Sequence, residues 1–236
     1  VKAAFKFITT VTGLILIGLA VVGLLVIGPF SGFLAALVAR DLAAIHGTTV
    51  TLADCKVRPF QQRIELQGLT INNPDPFRAG PALVVEQVDI DLDTASLLSG
   101  APGVRRILFS GTTVHLRHEA AAGTNLGQLE SNARAFTAQW RENADTGETD
   151  SGFRLNALRS EDTILRLSSD WLPALEAPLQ IGEFEIENLA ERGAVHRGEV
   201  VMLLIRRLLL EATGIPGIAD SVARVLHGEA AGGHSP

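Results

Sequence analysis

Residues 63–74 read RIELQGLTINNP, and this stretch decides the fold. Ile64, Glu65, Leu66 and Gln67 alternate apolar and polar side chains, the period of a strand with one buried face. Gly68 breaks the alternation, and Leu69, Thr70 and Ile71 resume it one position out of phase. A glycine that resets the phase without ending the pattern predicts a β-bulge. Asn72-Asn73-Pro74-Asp75-Pro76 then supplies a dense cluster of turn residues.

The same period continues outward on both sides. Upstream, Val50 and Leu52 open a strand that runs to Asp54 and Cys55. Downstream, Val88 to Asp93 alternates strictly, so Asp89, Asp91 and Asp93 share an acidic face. Val104 to Phe109 and Thr112 to His118 predict a hairpin turning at Ser110-Gly111. Further strand signals lie at Phe153–Leu155, Ile164–Leu167 and Leu179–Ile186. Three stretches instead have helical spacing. Ser31–His46 carries Phe33, Leu34, Leu37, Val38 and Leu42 on one stripe and stops at Gly47. Asn125–Trp140 carries Leu126, Leu129, Ala133 and Phe136. Glu199–Glu211 is the most apolar, and a short amphipathic stretch follows at Ile218–Leu226.

The amino-terminal region has a different character. No charge falls between Lys6 and Arg40, and Ile8 to Ile27 reads ITTVTGLILIGLAVVGLLVI. About 20 residues at roughly 1.5 Å each match the hydrocarbon thickness of a bilayer. This predicts a single transmembrane anchor carried by Ile8, Leu14, Leu16, Leu19, Val22, Leu25 and Ile27. It is too long and too continuous for a cleaved signal peptide. Lys2 and Lys6 before the run, against Arg40 and Asp41 after it, place the N-terminus in the cytoplasm. The expected organisation is therefore an anchor at 1–30, a helical stalk at 31–47 and a β-rich region with a helix at 48–142. A loop at 143–152, a second strand group with C-terminal helices at 153–227, and a disordered tail at 228–236 complete it. The fold class is α+β: one transmembrane helix and an extracytoplasmic, curved antiparallel sheet with packed helices.

Chemistry is sparse. A net charge of −6 gives no basic footprint for nucleic acid, and a lone Cys55 excludes a disulfide framework. His115 and His118 fall on opposite strand faces, and His46, His196, His227 and His234 are scattered, so no zinc site is expected. The Asp89, Asp91 and Asp93 row, like Glu183, Glu185 and Glu187, reads as a solvated acidic face rather than a calcium loop. No phosphate loop, dinucleotide fingerprint or nucleophile elbow occurs, and the chain is read as a non-enzyme with no cofactor. Leu203, Leu204, Arg206, Arg207 and Leu208 are candidates for membrane or partner contact, the arginines reaching lipid headgroups. The first reading of that helix, however, is a core element packed across the sheet, with the contact role as its functional alternative.

Five motifs in order carry a family resemblance. They are Gly47-Thr48-Thr49-Val50-Thr51-Leu52, Gly68 to Pro74, Ile90 to Leu98, Gly111 to Arg117, and Asn125-Leu126-Gly127-Gln128-Leu129. The succession resembles the amino-terminal portion of AsmA-like proteins, bacterial envelope proteins related to TamB. It departs by one extra residue in the Asp91 to Ser96 stretch. The resemblance implies a curved sheet whose apolar face shelters acyl chains. It also implies a single-pass inner-membrane protein with its main domain in the periplasm. Its function would be to shelter or traffic lipid or to support envelope organisation, with membrane lipid as partner. The alternative is an accessory subunit of a larger inner-membrane complex, bound through the anchor and the outer domain.

Overall fold

The computed structural model describes residues 31–77, 79–93, 96, 103–119, 121–144, 153–169, 178–192, 195 and 197–213. Nine strands form one sheet: β1 (Val50–Thr51), β2 (Asp54–Arg58), β3 (Arg63–Asn72), β4 (Pro81–Asp93), β5 (Gly103–Glu119), β6 (Gly123–Thr124), β7 (Arg154–Ser169), β8 (Leu179–Ile181) and β9 (Phe184–Ile186). Among the described residues three α-helices accompany it: α1 (Ser31–His46), α2 (Asn125–Ala144) and α3 (Arg197–Thr213).

The order across the sheet is β1-β3-β4-β5-β7-β8, with β2 also on β3, β6 on β5 and β9 on β7. All pairs are antiparallel except β5 and β7, which run parallel over a register from Gly103↔Arg154 to His118↔Ser169. The expected antiparallel sheet is thus corrected to a mixed one. Parallel neighbours need a crossover of a dozen or more residues, and the connection between β5 and β7 contains α2. Sequence alternation is blind to this, because a strand looks the same whichever way its neighbour runs.

The expected hairpin at Ser110-Gly111 is also corrected. β5 passes through both residues as one strand, and Gly111 holds φ 63 within it. The reason becomes clear across the sheet. Gly68 lies opposite Glu86, Glu86 opposite Gly111, Gly111 beside Asp162, and Asp162 opposite Gly182 in the registers of four ladders. None of these residues is itself ladder-paired, although the pairs on both sides are in the first three ladders and Thr163↔Ile181 flanks the fourth. Gly68, Gly111 and Asp162 all adopt left-handed φ, at 64, 63 and 52.

Each strand therefore carries one extra residue at the same row, and each buried face changes parity there. In β5 the buried set passes from Ile107 and Phe109 to Thr112, Val114 and Leu116; in β7 it passes from Leu158 and Ser160 to Thr163, Leu165 and Leu167. A shared change of parity of this kind sets a crease line across the strands; pairing runs one-to-one through it, and the register shifts lie instead between Ile71 and Asn72 and between Asp91 and Leu92.

The three helices lie on the apolar face. α1 packs on β1, β2 and α2; α2 on β5 and α3; α3 on β7 and β8. Leu126, Leu129 and Ala133 from α2, with Val201, Leu204, Ile205 and Leu208 from α3, join the sheet residues in one core. The helical period puts Val201, Leu204, Ile205 and Leu208 on a single stripe, so α3 buries its apolar side against the sheet.

The transmembrane anchor has to be withdrawn from the fold class, and with it the single-pass description and the inner-membrane, periplasmic location. Among the described residues no helix is long and apolar enough to cross a membrane. α1 is 16 residues long and contains Arg40 and Asp41; α3 is 17 and contains Arg206, Arg207 and Glu211. Ile8, Leu14, Leu16, Leu19, Val22, Leu25 and Ile27 lie outside the described residues, as do the 145–152 loop, the 218–226 stretch and the 228–236 tail. Ser31–His46, read as a stalk, is a helix laid against the sheet edge and α2.

Beneath the crease the core is locally polar. Ser160 and Thr163 share a hydroxyl contact of 2.9 Å, while the neighbouring Thr112 Oγ1 is buried without a partner among the described residues. An unmet buried hydroxyl costs about 1–3 kcal/mol. Thr112→Val keeps the shape and removes the polar atom, so it is expected to raise stability by about 1 kcal/mol in urea unfolding. An unchanged or lowered midpoint would show that the hydroxyl finds a partner.

Candidate functional site: a polar trough along the crease

The face away from the helices splits into two halves at the crease. In the half that holds β2 and β9, acids and arginines pair across strands. Arg58 binds Glu65 at 2.5 Å, Arg63 and Arg106 bind Asp91 from both sides at 3.0 and 2.8 Å, and Arg159 binds Glu183 at 2.8 Å. Glu161 accepts from Ser110 Oγ at 2.9 Å. These are cross-strand neighbours, and such half-exposed pairs contribute little stability each. Asp91, read from sequence as part of a solvated acidic row, thus sits between two guanidiniums.

At the crease itself the lattice stops. A trough of about 410 Å³ opens there, lined by Gln67, Glu86, Gln87, Ser110, Thr113 and Asp162 over a floor that includes Gly111. A second volume of about 280 Å³ continues it past Gln180, Gly182 and Glu183 to the sheet edge, sharing Asp162 and Ile164 with the first. Glu86 owes its placement to Gly111: a Cβ at that glycine would stand 2.7 Å from Glu86 Cδ. The left-handed φ of Gly111 adds strain for any other residue. Gly111→Ala is expected to cost about 1–2 kcal/mol, read as a lower urea midpoint, with Glu86 swinging aside. No loss would mean that β5 passes the crease without the left-handed residue.

Neither volume is lined by an aromatic residue or by a histidine or cysteine. Among the described residues no group of three His, Cys, Asp or Glu side chains is placed to hold a metal ion. The trough is lined by amide, hydroxyl and carboxylate side chains together with Ile164. Sequence reasoning missed it, since Glu86 and Asp162 look like ordinary exposed acids until the strands are aligned.

The sites singled out from sequence fall elsewhere. Leu204 and Leu208 are fully buried in the core, and Leu203, partly exposed, packs against it. Arg206 forms an ion pair with Glu130 of α2, and Arg207 with Glu211 at 2.5 Å on its own helix. Burial works against ionising Glu130, but Arg206 and Arg134 outweigh it and hold the carboxyl below its ordinary range. Cys55 is buried in β2, where loss of hydration raises its thiol above the usual value.

Residues of four of the five motifs behind the family resemblance meet at one corner of the domain, while Ile90 to Asp93 lie at the far end of β4. Asn125 Nδ2 donates to Asn73 Oδ1 and to the His115 carbonyl, both at 2.7 Å. Asn125 Oδ1 accepts from the Arg117 and Leu126 amides, both at 2.9 Å. Thr48 Oγ1 reaches the Asn73 carbonyl at 3.0 Å, and Asn132 Nδ2 reaches the His46 carbonyl at 2.7 Å. Gly47, at φ 63, turns the chain out of α1 beside Asn132. These residues tie α1, β3, β5 and α2 together; they are structural polar links rather than a reactive group. No family model and no curated protein sequence matches the chain.

Proposed function

We propose that this chain is a non-catalytic, AsmA-like accessory module that supports lipid handling by holding a protein partner, rather than by enclosing acyl chains itself. The observation that carries this is the closed core. The apolar sheet face, which would have to receive acyl chains, is filled by Leu126, Leu129, Val201, Leu204, Ile205 and Leu208 from the helices. The trough on the opposite face mixes polar side chains with Ile164 and Gly111. Proteins of this design act through surfaces, and the buried Asn125 corner keeps those surfaces in fixed relation.

The full chain, isolated from its native source in mild detergent, is expected to retain a protein partner in fixed ratio across salt and detergent washes. Solitary migration after gentle extraction overturns the reading.

Direct lipid sheltering is the second reading, favoured by one observation. Phe33 and Leu37 lie one turn apart on α1 and are 63% and 41% exposed, an apolar ridge that faces outward. It requires phospholipid to accompany the purified chain in stoichiometric amount.

A further inference from the structure

We propose that the two edges of this sheet join each other between copies of the chain. The β8–β9 edge of one copy docks beside the β1–β2 edge of the next, and the creased sheet runs on through the junction. The proposal goes beyond the partner-holding reading and does not depend on it.

The two edges agree position by position. Among the described residues β1 and β2 pair with β3 alone, and β8 and β9 with β7 alone, so each edge has one side without a strand. Such a side carries a row of backbone donors and acceptors ready for another strand. β1 and β2 keep one register on β3, which extends to Ala53 opposite Gly68. β8 and β9 keep one register on β7, which extends to Gly182 opposite Asp162. The crease therefore reaches both edges at a small residue. Counted from that row, Leu52 corresponds to Ile181, Cys55 to Phe184 and Val57 to Ile186 with the parity of the helix-covered face. Lys56 corresponds to Glu185 and Arg58 to Glu187 with the opposite parity. A slip of one residue would turn every side chain to the wrong face, so the match selects one register. Both edges run in the same direction through the ladders, which makes the junction parallel.

Charge selects which edges meet. Glu185 and Glu187 are exposed and make no ion pair among the described residues. Arg159, the register partner of Glu185, is engaged with Glu183. On the other edge Lys56 and Arg58 lean on Asp54 and Glu65 but keep 46% and 45% of their side-chain surface open. Each has donors left for a second carboxylate. Joining the edges sets Lys56 beside Glu185 and Arg58 beside Glu187, and opposite charges on neighbouring strands attract. Asp54 against Glu183 is the unfavourable facing, and each already has its own cation in Lys56 and Arg159. Residues 179–187 set antiparallel against a second copy of themselves would face acid with acid. Residues 50–58 set antiparallel against themselves about Lys56 would oppose two lysines and put the creases out of line. The unlike edges satisfy face, crease and charge together. Such a head-to-tail junction closes into a ring or grows as a filament.

The test is sedimentation velocity of the full chain in mild detergent over a range of protein concentrations, with two charge-reversed variants. Lys56→Glu with Arg58→Glu makes both edges acidic, and Glu185→Lys with Glu187→Lys makes both basic. All four side chains are exposed, so thermal unfolding of each variant should lie close to that of the parent. The parent is expected to associate as concentration rises, and less so in high salt. Each variant alone is expected to associate about tenfold or more weakly. An equal mixture is expected to recover association, because every junction between unlike copies then pairs an acidic edge with a basic one. A parent that stays monomeric overturns the proposal, as does association that neither variant weakens or that mixing fails to restore. Loss in the Lys56, Arg58 variant alone overturns it in favour of a dimer through β2. None of these outcomes concerns a partner of different sequence, so the partner-holding reading stands or falls by its own experiment.

Discussion

Asn125→Ala is expected to lower the unfolding free energy by about 4 kcal/mol, the largest effect of any single polar substitution considered for this domain. Asn125 is fully buried at the start of α2 and uses both ends of its amide. Truncation removes hydrogen bonds to the Arg117 amide, the Leu126 amide, the His115 carbonyl and Asn73 Oδ1. Loss of helix-start contacts costs about 1 kcal/mol, and each buried backbone group left without a partner adds about 1–3. Thr124 Oγ1 still accepts from the Gly127 amide in the variant, so α2 should begin at the same place but be held less firmly. Asn125→Asp separates the two halves of the effect. It keeps an acceptor for the amides but sets a carboxylate against the His115 carbonyl and Asn73 Oδ1, and it should also destabilise. Urea unfolding at neutral pH reads both. A change under 1 kcal/mol for alanine would mean that the corner is not closed by this side chain.

Acidification is expected to remove about 3 kcal/mol through His46 alone. His46 ends α1, is fully buried, and has neither ring nitrogen hydrogen-bonded among the described residues. Burial lowers its pKa from 6.5 to about 4; the Leu129 carbonyl nearby pulls the other way but without hydrogen-bond geometry. The folded state thus keeps His46 neutral while the unfolded chain takes up a proton near pH 6.5. Stability is full above that value, falls as pH drops through the window from 6.5 to about 4, and levels off below it. His46→Leu removes the titration but leaves the backbone carbonyl that Asn132 binds. Unfolding free energies at pH 7.0 and 4.5 should therefore diverge for the parent and converge for the variant, apart from the carboxylates common to both. Equal slopes would place the His46 ring in contact with water.

Much of the architecture was legible because it is local. Gly68 announced a change of face, although the register shift of β3 falls at Ile71/Asn72 rather than there; Gly47 announced the end of α1, and Val88 to Asp93 a two-faced strand. The same logic failed at Gly111, where an identical phase reset in β5 was read as a hairpin. A glycine that bends a strand and one that ends it look alike in one dimension, and only the alignment of Gly68, Glu86, Gly111, Asp162 and Gly182 tells them apart. The parallel pairing of β5 with β7 was invisible for a related reason, being fixed by how α2 crosses the sheet. α3 read correctly as an apolar helix packed across the sheet, and Leu204 and Leu208, also offered for contact, fill that core. Hydrophobicity states that a face must be covered and leaves open by what. The trough was the least legible feature. It depends on Glu86 and Asp162 lacking the arginine partners that Asp91 and Glu183 have, and that difference exists only once four strands lie side by side.

Native mass spectrometry of the full chain, released from its source in mild detergent, tests most directly whether the domain works through a partner or by enclosing lipid. The expected spectrum contains the chain bound to protein in fixed ratio, with no stoichiometric phospholipid after detergent is stripped in the gas phase. A chain that flies alone with one or more phospholipids attached would contradict it, because among the described residues the apolar face of the sheet is already covered by helix side chains.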